Sequence, residues 1–359
     1  MKTARIAIIG LGNIAKTHII ALKAIPVLKK TPVLPVLDSL VTRNPASNRD
    51  QAAAIGFRQT VGTLSEAFEG GKPDIVDVCT PNSLHLDAVA YSASQGSAVY
   101  CEKPLTESYT NSKKLVLSAE GAPLTQTALT YRYHPAVIRI REALRLGLLG
   151  DVLQCRISYR RSGYLDASRP VSWRLQDAFS GGGAISDLGV HVLDLFRHFF
   201  GELASVSGQT NIFVKKRPET QGGEPVANIR VDDWALMNVR MESGVWGVAE
   251  VSRIALGAEA FEVNITGTKG GLTVDLEKEY VPRLTLLDGS SPAIPAPPAL
   301  DLLPGEKGTM GMAVDVHFGA LNHFLHRLAG EDRWPGLAPA LADCLKAEEW
   351  IDRVLQENQ

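Results

Sequence analysis

The sequence predicts an α/β protein in two parts, and three observations predict it. Short apolar runs alternate with helical patterns as far as about residue 130, a glycine-rich turn follows the first run, and longer alternating runs take over beyond about residue 150. With 359 residues, 45% hydrophobic and 21% charged, the chain is long enough for two globular domains with a core each.

Ile6-Ala7-Ile8-Ile9 reads as the first strand and Ile14 to Ala24 as the helix after it. Ile75-Val76-Asp77-Val78-Cys79 and Leu84 to Gln95 repeat that pair, and Ala98-Val99-Tyr100-Cys101 and Pro123 to Thr130 supply further strands. Near-continuous apolar strands of this kind suit a parallel sheet covered by helices on both faces, a Rossmann-type domain over residues 1–130. A helix from about Pro135 to Leu146 follows. The period then changes: Val152 to Arg160, Ala235 to Met241, Gly244 to Val251 and Phe261 to Thr266 read as strands of a mostly antiparallel sheet. Glu242-Ser243-Gly244 and Thr268-Lys269-Gly270-Gly271 mark hairpins within it. Gly289 to Gly308 reads as a surface loop, followed by helices over about Ala313 to Leu328 and Leu337 to Leu355, which close a second domain over residues 131–359.

Composition narrows the function. Lys+Arg 37 against Asp+Glu 39 gives a net charge of −2, and no basic run is interleaved with aromatics, so nucleic acid is not an expected partner. Cys79, Cys101, Cys155 and Cys344 lie far apart with no C-x-x-C pair, which indicates neither a metal site nor a disulfide framework. Ile6 to Leu11 is too short for a signal-peptide core and no later stretch matches a bilayer span, so the expected location is cytoplasmic, with no membrane partner.

Gly10-Leu11-Gly12-Asn13-Ile14-Ala15 follows the first strand and opens a helix, the setting in which glycines let the backbone approach a pyrophosphate. The cofactor's ribose is read at the end of the second strand, where two registers compete. If that strand is Ser39-Leu40-Val41, it ends in Thr42-Arg43-Asn44, with no acid and an arginine placed for a 2'-phosphate. If it is Val33 to Leu37, Asp38 is the ribose ligand, a register that Pro35 weakens. NADP is therefore favoured over NAD, although Arg43 also suits stacking on adenine or a solvated position. Thr80-Pro81-Asn82 with His85, and Glu102-Lys103-Pro104, end later strands at the ligand-binding edge. There a lysine can polarise a substrate oxygen, and an isolated lysine is otherwise surface decoration.

Gly181-Gly182-Gly183, glycines that would let a ligand approach the backbone, leads into Asp187 and His191, four residues apart and so on one helical face. A histidine beside a carboxylate suits a general base. On these residues alone the structural reading leads, with Asp187 near a helix start and His191 satisfied in the core.

Taken together, the Gly10 to Ala15 turn, Thr80-Pro81-Asn82 with His85, Glu102-Lys103-Pro104, Tyr131-Arg132-Tyr133-His134-Pro135, Trp173-Arg174 and the glycine run with Asp187 and His191 resemble the Gfo/Idh/MocA oxidoreductases, in that family's order and over nearly the whole chain. The resemblance implies a C-terminal α/β domain with a large open sheet that pairs subunits into a homodimer or homotetramer. It also implies a sugar or cyclic polyol as substrate. Carried onto this sequence, it implies that Lys103, Asp187 and His191 are catalytic, with His191 as general base and Lys103 polarising the reacting oxygen. Gly10, Gly12, Asn13, Ile14, Thr42, Arg43, Thr80, Pro81, Asn82, His85, Glu102 and Lys103 would bind the cofactor, and Tyr131, Tyr133, Trp173 and Arg174 the substrate. Each tyrosine suits core packing equally. Thr130, where many relatives have asparagine, and an insert over Lys29 to Asp38 depart from the pattern. A redox-assisted glycosidase that returns its cofactor unchanged, and a non-catalytic dinucleotide sensor, are the competing functions.

Overall fold

A computed structural model describes residues 2–358. Two compact units emerge: Met1–Thr106 with Thr110–Tyr133 and Asp301–Leu345, and Glu107–Tyr109 with His134–Leu300 and Lys346–Gln359. A single cut after residue 130 therefore misses the return of residues 301–345 to the first unit.

The first unit runs β1 (Lys2–Ile9), α1 (Asn13–Leu28), β2 (Val33–Val41), α2 (Pro45–Ile55), β3 (Gln59–Val61), α3 (Leu64–Glu69), β4 (Ile75–Val78), α4 (His85–Ser94), β5 (Ala98–Cys101), α5 (Tyr109–Ser118) and β6 (Thr125–Thr127). Its parallel sheet has the order β3-β2-β1-β4-β5-β6. The order reverses between β1 and β4, and ligands of open α/β sheets bind beyond the carboxyl ends of strands at such a point. β4 and β5 are buried at every residue, as their apolar runs predict.

The two registers considered for the second strand turn out to be halves of one strand. The pairing of β2 with β1 slips between Ile6 and Ala7, which face Leu37 and Ser39, so Asp38 is the unpaired residue of a bulge. Pro35 is tolerated because β3 joins β2 only from Ser39 onward, leaving the far side of Pro35 without a ladder. The expected insert over Lys29 to Asp38 is thus mostly strand.

The second unit contributes α6 (Pro135–Arg145), β7 (Val152–Arg160), α7 (Asp177–Ser180), α8 (Val190–Phe200), β8 (Leu203–Asn211), the short pair β9 (Lys216–Arg217) and β10 (Ala227–Asn228), then β11 (Trp234–Met241), β12 (Trp246–Ser252), β13 (Ala260–Gly267), β14 (Gly270–Asp275) and β15 (Arg283–Leu286). Seven of these strands form a sheet ordered β15-β14-β13-β7-β12-β11-β8, antiparallel except where β12 meets β7. Both predicted hairpins occur, between β11 and β12 and between β13 and β14. Residues alternate along the strands, with Ile157, Met237, Ala249, Val263 and Ile265 buried. α8 packs so closely on this face that a side chain at Gly247 would collide with Phe196. The last helices are α9 (Met312–Leu328), which packs on α1, and α10 (Leu341–Glu357).

Asp38 in its bulge is 1% exposed and holds Arg5 Nε at 3.0 Å and Arg58 Nε at 2.7 Å. Burial raises its pKa, but hydrogen bonds from Arg58, Arg5 and Ser39 outweigh that and lower it from 3.8 to about 2. A depressed pKa contributes stability that is present above 3.8 and lost as pH falls through about 2. Asp38→Asn is expected to cost about 2 kcal/mol at neutral pH, with the deficit closing as denaturant unfolding is repeated at progressively more acid pH. A constant deficit would contradict the assignment.

Candidate active site

At the switch point the chain turns sharply. Gly10 has φ +95°, and a Cβ there would stand 3.1 Å from the carbonyl oxygen of Cys79, at the end of β4. Its N–H donates to Val41 O at 2.8 Å, so one residue touches the ends of both neighbouring strands. Only glycine adopts this conformation readily, and only glycine leaves the space. Gly12 caps α1 without any side-chain hydrogen bond, and Asn13 and Ile14 begin the helix, which leaves backbone N–H groups for an anion.

The neighbouring strand ends complete this edge. Thr80 carries a buried Oγ1 with no hydrogen-bond partner among the described residues. Asn82 is buried at the start of a short helical turn, and Pro81 is half-buried. His85 differs from expectation: it is fully buried, with Nε2 2.8 Å from Thr80 O and Nδ1 3.1 Å from the carbonyls of Pro104 and Leu105. Both ring nitrogens meet backbone carbonyls, so the ring joins the Thr80 turn to the turn after Lys103. Glu102 is buried and accepts the Lys103 N–H on Oε2 at 3.2 Å, while Lys103 is half-buried. At the end of β2, Thr42 accepts from Asn48 Nδ2 at 3.1 Å, and Arg43 is exposed. Asp38 is buried and occupied by its two arginines.

In the second unit the glycine run has a different purpose from that expected. Side chains at Gly181 and Gly183 would collide with the backbone carbonyls of Glu107 and Asp232, and one at Gly182 with Ser186. The glycines admit other protein backbone, not a ligand. Asp232 then takes the helix start that the sequence offered to Asp187: its carboxylate accepts the N–H groups of Gly183 and Ile185, each at 2.8 Å. Burial nevertheless pushes the Asp232 pKa upward, against the pull of those N–H groups and of Arg253.

Asp187 lies in a π-helical turn, Ile185–Gly189, that leads into α8. Such turns widen the helix and are frequent at functional sites. Its Oδ2 accepts from Arg253 Nη2 at 3.0 Å. Arg253, at the end of β12, is 3% exposed, lies over the Tyr164 ring at 4.9 Å, and has Nε and Nη1 without hydrogen-bond partners among the described residues. His191 is 7% exposed, its ring 6.5 Å from that of Tyr159. Sequence reasoning missed Arg253 and Asp232, because an arginine at a strand end carries no signal of its own. The adjacent acids Asp232-Asp233 before an apolar strand were the one visible hint.

Of the aromatic candidates, Trp173 and Arg174 lie together on a short turn, the guanidinium 4.2 Å from the indole, with Leu175 anchored against Ile229 and Val231. Tyr131 is half-buried. Tyr133 is a correction: it is fully buried, and its hydroxyl meets His323 Nδ1 at 3.0 Å and accepts from Gln126 Nε2 at 3.3 Å, so it packs in the core of the first unit.

A family model described as an oxidoreductase family with an NAD-binding Rossmann fold matches residues 4–128, and one described as the GFO/IDH/MocA C-terminal domain matches residues 137–273. The chain belongs to the GFO/IDH/MocA oxidoreductase family. This family member is 28% identical over 292 residues to a levoglucosan dehydrogenase of Pseudarthrobacter phenanthrenivorans, covering 77% of this chain and 75% of that one. It is 26% identical over 294 residues to a scyllo-inositol 2-dehydrogenase (NAD(+)) of Bacillus subtilis, covering 81% and 80%. A solved levoglucosan dehydrogenase in complex with NADH and levoglucosan superposes with a TM-score of 0.89 at 25% identity, covering 99% of this chain and 97% of the other.

Because Gly183 is closed by the Asp232 carbonyl, Gly183→Ala is expected to destabilise the protein by about 3 kcal/mol, read from denaturant unfolding. An unchanged midpoint would show that the run is open to a ligand after all.

Proposed function

We propose that the chain is an NAD(P)-dependent dehydrogenase or reductase acting on a secondary alcohol of a sugar or cyclic polyol. The observation that carries this is the Gly10 cradle at the switch point, with the buried, unpartnered Thr80 Oγ1 beside it, in a family member whose relatives are named sugar and polyol dehydrogenases. These residues fit a dinucleotide: the cradle is one that a Cβ would fill, and the start of α1 offers N–H groups to a pyrophosphate. Gly10, Gly12, Asn13 and Ile14 would hold the phosphates, Thr42 and Arg43 the adenosine end, and Thr80, Pro81, Asn82, Glu102 and Lys103 the nicotinamide end. A bound nicotinamide supplies the hydride acceptor.

The chain's own residues move the proton and hold the charge. His191 takes the hydroxyl proton on a ring nitrogen, as a neutral imidazole can. Lys103 donates to the same oxygen, an interaction that strengthens as alkoxide charge develops. Asp187, clamped by Arg253, orients the substrate or the imidazole. Tyr131, Trp173 and Arg174 bind the polyol. Support for these roles comes from the family resemblance of the motifs.

NADP is preferred over NAD in this reading. β2 ends in exposed Arg43 with no free acid, since Asp38 is engaged inside the sheet. The four cysteines are buried free thiols, which suits a reducing compartment such as the cytoplasm. No helix among the described residues is long and apolar enough to cross a membrane. A redox-neutral reading keeps one argument: a relative 27% identical over 206 residues is named a 2,7-anhydro-N-acetylneuraminate hydratase. The chain is also proposed to form a homodimer or homotetramer through the outward face of the second sheet. Trp234, Leu236, Trp246 and Val248 stand there at outward positions among Arg160, Glu250 and Glu262.

A panel of sugars and cyclic polyols with both cofactors is expected to show substrate-dependent reduction of NADP⁺ in preference to NAD⁺, with Arg43→Ala erasing the preference. Lys103→Ala and His191→Ala should each lower turnover about 10²-fold or more with cofactor affinity nearly intact. Sugar conversion without net change in nicotinamide absorbance would favour the redox-neutral reading, and unchanged turnover in both variants would remove them from the mechanism. In sedimentation, Trp246→Glu should shift an oligomer to monomer, and a monomeric wild type would refute the interface.

A further inference from the structure

His18, one turn into α1 beyond the glycine cradle, is fully buried among groups of which the proposed function uses only Glu102. From β4, Asp77 (1% exposed) places Oδ2 2.9 Å and Oδ1 3.1 Å from His18 Nδ1, and Cys79 Sγ lies 3.3 Å from the same nitrogen. From the end of β5, Glu102 Oε1 lies 3.1 Å from His18 Nε2, and the Tyr100 ring stands edge-on at 5.5 Å. From α9, in the returning segment, His317 Nδ1 lies 3.0 Å from His18 Nε2. Two buried carboxylates around one imidazole are costly unless the ring is charged and both nitrogens donate.

The directions of titration agree with that geometry. Burial lowers the His18 pKa, but Asp77 and Cys79 raise it further, to well above 6.5. His317 is pushed down to about 3, by burial first and then by the His18 charge, and so offers Nδ1 as an acceptor. Burial raises the Glu102 pKa, yet His18, with His317 and Lys103, holds it down at about 2. The Glu102 carboxylate has two faces: Oε1 toward His18, and Oε2 accepting the backbone N–H of Lys103.

We propose that His18 is a positioning residue, a buried clasp that ties Asp77 on β4 and His317 on α9 to Glu102 and, through Glu102, fixes Lys103 at the nucleotide edge. The proposal rests on the role given above to that edge. Replacing His18 with asparagine removes the cation, lets Glu102 take up a proton at higher pH, and releases the turn that carries Lys103. The charged or titratable neighbours in this effect are Asp77, Cys79, Tyr100, Glu102, Lys103 and His317.

The test uses the full-length protein, NADPH fluorescence titrations across pH, and steady-state turnover on the sugar identified by the panel. In His18→Asn, kcat is expected to fall about 10-fold or more, as small misplacements of catalytic groups do, with sugar KM nearly unchanged. The acid limb of NADPH affinity should move to higher pH. A merely structural role would lower the melting temperature and leave both the kcat-to-KM split and the position of the acid limb as in wild type, which would overturn the proposal. Should His18→Asn not fold, ¹⁵N spectra of the histidine rings in the wild type decide: His18 protonated on both nitrogens at neutral pH supports the clasp, and a neutral ring overturns it. A wild type that binds NADPH while His18→Asn keeps its pH profile overturns this proposal alone. A wild type that binds no dinucleotide overturns the functional reading with it.

Discussion

The nucleotide edge depends on one close approach of two backbones. Gly10 must pass 3.1 Å, measured from where a Cβ would be, from the carbonyl of Cys79 while its own N–H bonds to Val41. That requirement fixes three things at once: glycine in a left-handed conformation, β1 between β2 and β4, and α1 starting where its first N–H groups face the crevice. The order of strands places Thr80 and Lys103 along the same edge, because β4 and β5 follow β1 in the sheet. A side chain at Gly10 would strain this turn and crowd the Cys79 carbonyl.

Buried charge then fixes local geometry within each unit. Asp38 in its bulge, Asp232 under the glycine run, and the cluster around His18 are each nearly inaccessible, and each carboxylate is met by cations or backbone N–H groups. Such groups contribute little net stability compared with an apolar core, but they fail badly when one partner is removed. They therefore fix geometry more than they add strength. Arg253 is the exception in that two of its nitrogens find no hydrogen-bond partner among the described residues, and it sits on Asp187.

Much of the fold was legible in the sequence because hydrophobic period is a local property. β5 and β7 fall at the predicted residues, and both hairpins follow their glycine turns. What was not legible depended on distant partners. The bulge at Asp38 joined two runs that looked like rival strands, since only the pairing with β1 shows that Asp38 skips a register. The return of residues 301–345 to the first unit follows from packing of α9 on α1, which no local pattern encodes. At the candidate site, the residue types at Gly10, Lys103, Asp187 and His191 were readable, but their surroundings were not. Tyr133 looked like a ligand contact and instead bonds within the core, the backbone partners of the His85 ring carried no local signal, and the glycines before Asp187 admit protein. His18 lay in plain view less than one turn past the fingerprint, yet its meaning required Asp77, Glu102 and His317 to be brought around it.

The most direct test of the account is a fluorescence titration of the purified protein with NADPH and NADH, beside Gly10→Val and His191→Ala variants shown to be folded by circular dichroism. The account predicts saturable binding to the wild type and to His191→Ala, and its loss in Gly10→Val. Absence of saturable binding to the wild type, or binding by Gly10→Val as tight as wild type, would contradict it.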